Sequence, residues 1–300
     1  MLRRLAAPLV SALLCACGPV AEPPPGDPVE DRSAGTPRII SLSPAVTEVL
    51  VALGAAGELV GVDRFSRAVG GVGDVPSLGA LFSPDLERAI ELAPTLVFGV
   101  AGQQQQGFFE QLRARGVRVE TLSPYTLREV LDSYARIGAL VGRPDDGAAL
   151  RDSVQRQLAA IRAGVHGPPR SVAVVLERQP LYVVGGGSFV SELIEAAGGR
   201  NVFADLEAPY PVVSLEVLAE RAPAVLVDTS LAPGFSSDPS SDLSSEGRQA
   251  AAAEARKHWS VLPHPGRVET VPRGVVTLPG ARLAEAARLL RDKIHPGAGG

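Results

Sequence analysis

The stretch RIISLSPAVTEVLVALGAAGELVGV, residues 38–62, decides the fold class. Ile39-Ile40-Ser41-Leu42 is a short apolar run of the kind that forms a buried strand. Ser43-Pro44 follows as an N-cap and a first helical residue. Val46, Val49, Leu50 and Leu53 then recur at helical spacing, and Gly54 supplies a stop. Leu59-Val60-Gly61-Val62 reads as a strand again. Strand, helix and strand in such close succession predict an α/β arrangement.

The alternation continues outward. Ser83-Pro84 opens a second expected helix, with Leu86, Ala89, Ile90 and Ala93 on one face, and Pro94 ends it before the strand Leu96-Val97-Phe98. Gln103 to Gln106 reads as a polar helix start. Beyond residue 170, strands are expected at Val172–Leu176 and Leu181–Val184. The turn Gly185-Gly186-Gly187-Ser188 then leads into a helix carrying Val190, Leu193 and Ile194. Ser214 caps a further helix that stops at Pro223, before Val225-Leu226-Val227.

The two halves align on each other. Leu-Glu-Arg-Ala-Ile-Glu-Leu-Ala-Pro at 86–94 answers Leu-Glu-Val-Leu-Ala-Glu-Arg-Ala-Pro at 215–223, and a hydrophobic strand follows each proline. This predicts two α/β lobes of similar build, 37–143 and 168–300. Between them Leu150, Val154, Leu158, Ile161 and Val165 give one apolar face to a long helix expected over 144–167. Twenty helical residues span about 30 Å, enough for a strut between lobes.

Three hundred residues suit two domains better than one. A net charge of −4 argues against nucleic acid as a partner, since phosphate binding rests on a basic surface. Arg3 and Arg4 precede the apolar run Leu5–Leu14, which is shorter than the roughly 20 residues a membrane span needs. It reads as a signal peptide, residues 1–17. Its end, Leu14-Cys15-Ala16-Cys17, resembles a bacterial lipobox, with Cys17 as the lipidated residue. Residues 18–36, rich in Pro, Gly and acidic side chains, are expected to be a disordered tether.

The chain contains no G-x-S-x-G elbow, Walker A loop or HExxH pair. The four histidines, at 166, 258, 264 and 295, lack a tight metal-ligand spacing. No catalytic residue, metal ligand or resident cofactor is therefore expected. The 185–188 turn suits either an anion cradle or the mouth of a ligand site. Glu87 and Glu216 each stand seven residues before a proline, near the start of a helix. The macrodipole favours a carboxylate there. A matched pair of acidic knobs, one per lobe, would also suit docking on basic sockets of a two-fold partner.

The series from Arg38 to Glu48, Ser83-Pro84-Asp85-Leu86-Glu87-Arg88, Ala93-Pro94-Thr95-Leu96-Val97, Leu181 to Asn201, and Val213-Ser214 with Glu216 resembles the periplasmic cobalamin- and ferric-siderophore-binding proteins. The resemblance runs in order over roughly residues 37–296. It implies a class III periplasmic binding protein, with two Rossmann-like lobes joined by a long backbone helix and a ligand held in the cleft. It further implies an exported, lipid-anchored, monomeric protein that captures cobalamin or an iron complex, siderophore or haem. Glu87 and Glu216 match glutamates that dock on the permease subunits of an ABC importer. Planar chelates favour aromatic and apolar walls with a few polar anchors. On that basis the expected cleft residues are Arg64, Phe65, Leu81, Phe82, Tyr125, Gly187, Phe189, Tyr210, Trp259 and Arg282, with Arg178 as a further cation. The chain departs from cobalamin binders at Gly99-Val100-Ala101-Gly102, where a tryptophan would be expected. The rival readings are a free metal-ion receptor, a cell-surface enzyme, and a sensory lipoprotein that keeps the fold.

Overall fold

The computed structural model describes residues 36–80, 83–230 and 245–297. The signal peptide with Cys17, nearly all of the expected tether, and Leu81 and Phe82 lie outside the described residues.

The opening stretch folds as β1 (Ile39–Ser41), α1 (Pro44–Ala52) and β2 (Leu59–Val62). Ser43 is the extended residue before α1, but its side chain makes no capping bond, and Pro44 fixes the first turn instead. A small antiparallel pair, β3 (Gly79–Ala80) and β4 (Ser83–Pro84), comes next, followed by α2 (Leu86–Glu91). The helix therefore starts later than the sequence suggests. Ser83 is taken up by pairing with Ala80, and Asp85 caps α2 by accepting from the Arg88 N–H at 3.0 Å. The first lobe is completed by β5 (Leu96–Gly99), α3 (Gln103–Arg113) and β6 (Arg118–Thr121). Its four parallel strands lie in the order β2-β1-β5-β6.

Two helices lead to the second lobe. In α4 (Leu127–Leu140) a capping box joins Thr126 and Glu129, and α5 (Pro144–Ala163) is the long helix. Its first turn carries Asp145 and Asp146 and its last Arg162, each sign matching the dipole end it faces. The helix stops two residues short of Val165, the last member of the expected stripe.

The second lobe comprises β7 (Arg170–Arg178), β8 (Leu181–Val183), α6 (Phe189–Ala196), β9 (Gly199–Asn201), α7 (Leu215–Arg221) and β10 (Val225–Asp228). It ends with α8 (Ser245–Trp259), β11 (Arg267–Thr270), α9 (Arg273–Val276) and α10 (Leu283–Ile294). The sheet order is β11-β10-β7-β8, with β9 also pairing with β7; only β8 runs antiparallel. The matched halves share one more detail. Ala93 and Ala222, each just before its proline, both adopt a left-handed backbone, φ +43° and +41°. A following proline disfavours the right-handed helical conformation, so the chain leaves α2 and α7 by the same turn.

One apolar core runs through both lobes. It joins Ile39 and Phe98 of the first sheet to Val172 and Ile194 of the second lobe through Val130, Tyr134 and Ile137 of α4 and Val154, Leu158 and Ile161 of α5. Fully burying one such side chain is worth about 1.5–3 kcal/mol, so parting the lobes along this seam is strongly opposed.

Candidate ligand-binding cleft

A cavity of about 540 Å³ lies between the lobes. Its first-lobe wall forms where the parallel strands end: Ser43–Val46 after β1, Arg64 and Phe65 after β2, Val100 and Ala101 after β5, and Leu122–Tyr125 after β6. Carboxyl ends of strands are where open α/β sheets bind ligands. Phe189, Tyr210 and Thr277–Pro279 supply the second-lobe wall, and Ser133 and Ile137 of α4 also line it. The size lies within the range of small-molecule sites. Arg64 is the one charged side chain among the described lining residues.

A buried carboxylate shapes the Arg64–Phe65 turn. Asp63 is fully buried, and its Oδ1 accepts from the N–H groups of Phe65 at 2.8 Å and Ser66 at 3.2 Å. The Ser66 hydroxyl donates to Oδ2, and Thr47 lies 3.0 Å from that hydroxyl and 2.8 Å from Ser41 Oγ. Burial pushes the Asp63 carboxyl above its ordinary pKa, while these hydrogen bonds pull it back. Arg64 N–H donates to the Gly79 carbonyl at 2.8 Å, and its guanidinium lies 4.7 Å from the Phe65 ring centre. The turn thus presents a cation and an aromatic ring together.

The opposite rim is tied across the lobes. The Phe189 N–H donates to the Tyr125 carbonyl at 2.5 Å, and the Leu127 N–H donates to Glu192 Oε1 at 2.7 Å. Tyr125 keeps 51% of its surface exposed. Tyr210 hydrogen-bonds to Ser188, and burial raises its phenol above the ordinary value. Arg64, Phe65, Tyr125, Phe189 and Tyr210 therefore all line one cavity.

Other expected cleft residues lie elsewhere. Trp259 is 1% exposed, packed in a separate second-lobe core with Phe203 and Leu226, and its indole N–H donates to Asp228 at 2.6 Å. Arg178 is held by the same Asp228 at 2.9 Å and by Glu254 at 3.2 Å. Arg282 pairs with Glu48 at 2.9 Å, beside a second cavity rather than in the cleft. Gly187 belongs to a backbone packing site. The Gly185 and Gly186 N–H groups donate to the carbonyls of Pro209 and Leu206. A Cβ on Gly187 would lie 2.1 Å from the Glu207 carbonyl oxygen. The turn thus seats a loop.

Glu87 and Glu216 are both exposed, each the second residue of its short helix. A hydrogen bond with Ser214 holds Glu216 below the usual carboxylate range. Sequence reading missed Ser43–Val46, Val100, Ala101, Leu122–Pro124 and Thr277–Pro279. The strand-end rule would have found all but the last group, which follows a short helix with no such marker. No group of three His, Cys, Asp or Glu is placed to hold a metal ion among the described residues.

The vitamin B12-binding protein of Salmonella typhimurium is 29% identical over 192 residues, 64% of this chain and 71% of that protein. The periplasmic heme-binding protein RhuT of Roseiflexus sp. RS-1 superposes with a TM-score of 0.67 at 26% identity, covering 88% of this chain and all of that one. The heme-binding protein HutB of Vibrio cholerae gives 0.72 at 22% identity, over 87% and 100% of the two chains. Residues 39–247 match the periplasmic binding protein family, and two α/β lobes on a long helix are its class III fold: the chain belongs to this family.

Proposed function

We propose that this protein captures a metal chelate, cobalamin or an iron complex such as haem or a ferric siderophore, and hands it to an ABC importer. The observation that carries this reading is the composition of the cleft wall. Phe65, Tyr125 and Tyr210 offer aromatic surface to a large ligand, and Arg64 offers one charge-assisted contact to an acidic group on it. No Asp, Glu, His or Cys stands among the described lining residues, so a bare metal ion would find no strong ligands there. Relatives named for vitamin B12 and heme support the same class. The protein acts as an exported monomer. Cys17 carries its lipid anchor, and Glu87 and Glu216 meet the permease. Mass spectrometry and absorbance of protein from its native host test the ligand class, where a corrin, haem or ferric charge-transfer band is expected. A colourless, ligand-free protein that takes up none of these chelates would overturn it. Replacing Cys17 by Ser is expected to release the protein from membrane fractions, and unchanged retention would remove the anchor from the account.

A further inference from the structure

Glu48 is a buried carboxylate that the cleft does not use. Val46 and Val49 of α1 line the ligand cavity, whereas Glu48 points to a second cavity of about 370 Å³ bordered by Val51, Ala68, Ala281 and Arg282. Glu48 is 6% exposed. Its Oε1 accepts from Arg282 Nε at 3.0 Å and lies 2.9 Å from Arg282 Nη2, and the Ala281 N–H also donates to the carboxylate. Contact at this turn leaves no spare room, because a Cβ on Gly280 would lie 2.1 Å from Glu48 Oε2. On the same turn, Tyr134 of α4 donates its hydroxyl to the Gly280 carbonyl at 2.5 Å.

The gripped turn, Gly280–Arg282, continues directly from Thr277, Leu278 and Pro279, which wall the ligand cavity. A buried ion pair is a poor source of stability, since the desolvation of both charges offsets their attraction. Its advantage over an apolar contact is direction: two guanidinium N–H groups on one carboxylate oxygen fix how α1 and the turn meet. We propose that Glu48 and Arg282 are positioning residues for ligand capture, their ion pair locking the Gly280–Arg282 turn of the second lobe onto α1 of the first and so fixing the Thr277–Pro279 wall. This rests on the cavity being the ligand site. The charged and titratable groups facing Glu48 are Arg282, Glu285 and the Tyr134 phenol. Burial pushes the Glu48 carboxyl up to about 7 against the pull of Arg282, so the lock loses its charge under mildly acidic conditions.

The test uses the whole protein, with Glu48→Gln removing the charge and keeping the shape. Amide exchange of residues 277–282, referenced to β7 in the same sample, reads the lock without any ligand. Titration with haemin, cyanocobalamin and a ferric siderophore reads its consequence. At about pH 8.5 the variant is expected to exchange this segment about tenfold faster and to bind its probe about tenfold more weakly. Arg282→Lys, which keeps the charge and loses the two-point grip, gives a second variant should the first fail to fold. Equal exchange in wild type and variant overturns the lock. Faster exchange with unchanged affinity for a probe that the wild type binds overturns the positioning role. Should the wild type bind none of the three, the ligand reading fails and the exchange result alone decides the lock.

Discussion

Gly138 of α4 and Gly147 of α5 meet backbone to backbone. A Cβ on Gly138 would lie 2.8 Å from Gly147 Cα, and one on Gly147 would lie 2.6 Å from the Tyr134 carbonyl oxygen. Helical glycine costs about 0.5–1 kcal/mol relative to alanine, so two at one crossing weaken both helices unless close approach requires them. Here it does, and the approach brings α4 and α5 into the seam that joins the lobes. Gly138→Ala or Gly147→Ala is expected to destabilise the protein by about 1–3 kcal/mol despite the better helix propensity. Gly107→Ala, exposed on α3 with open space around it, is expected to stabilise by about 0.5–1 kcal/mol. Denaturant midpoints read both, and equal effects at the three sites would remove the packing explanation.

Glu87 and Glu216 occupy equivalent positions on α2 and α7, both exposed, outside the cleft lining. Reversing both to Lys is expected to leave chelate affinity within about twofold and to abolish most uptake in cells. Truncating a buried interface charge costs about 2–5 kcal/mol, and reversal adds repulsion against a basic partner. Parallel loss of affinity and uptake would move the glutamates into the cleft, and no change in either would leave them as helix-terminus charges.

Two buried carboxylates are expected to stabilise this protein as the pH falls through the neutral range, against an opposing contribution from the exposed His258, whose imidazole desolvation holds below its ordinary value. Glu48, at about 7, and Asp63 both have folded pKa values above their unfolded ones, because burial disfavours their charge. Folding therefore takes up protons, and this contribution is complete below about pH 4 and lost as pH rises through the folded values. Each tenfold gain in proton affinity on folding corresponds to about 1.4 kcal/mol, so the denaturation midpoint is expected to rise measurably from pH 8 to pH 5.5. Glu48→Gln is expected to flatten most of that rise. A midpoint that falls on acidification over this window, or an unaltered slope in the variant, would contradict the assignment.

Most of the fold is written in local patterns. The apolar runs around Ile39, Leu59, Leu96 and Val172 form strands, and the stripe from Leu150 to Ile161 forms the long helix. The start of α2 is not legible in this way, because Ser83-Pro84 carries the same signal as a helix cap, and only pairing with Gly79 and Ala80 distinguishes them. The site is legible where loops follow strands, as at Arg64, Phe65 and Tyr125. Trp259 and Arg282 are not, since an aromatic ring or a cation suits a ligand and a core or ion pair equally well. Their partners, Asp228 and Glu48, lie 31 and 234 residues away in sequence. No local pattern carries contacts at that separation.

The central claim is that a metal chelate binds between the lobes, against the aromatic wall. Tyr125 is half exposed and lines the cavity, so Tyr125→Ala removes part of the aromatic wall while sparing the core. Absorbance titration of wild type and this variant with cyanocobalamin, haemin and a ferric siderophore tests the claim directly. At least one chelate is expected to bind the wild type saturably at one site and to bind the variant at least about tenfold more weakly, a loss of about 1.4 kcal/mol, with an unchanged thermal midpoint. Failure of all three chelates to bind, or equal binding by both proteins, would contradict it.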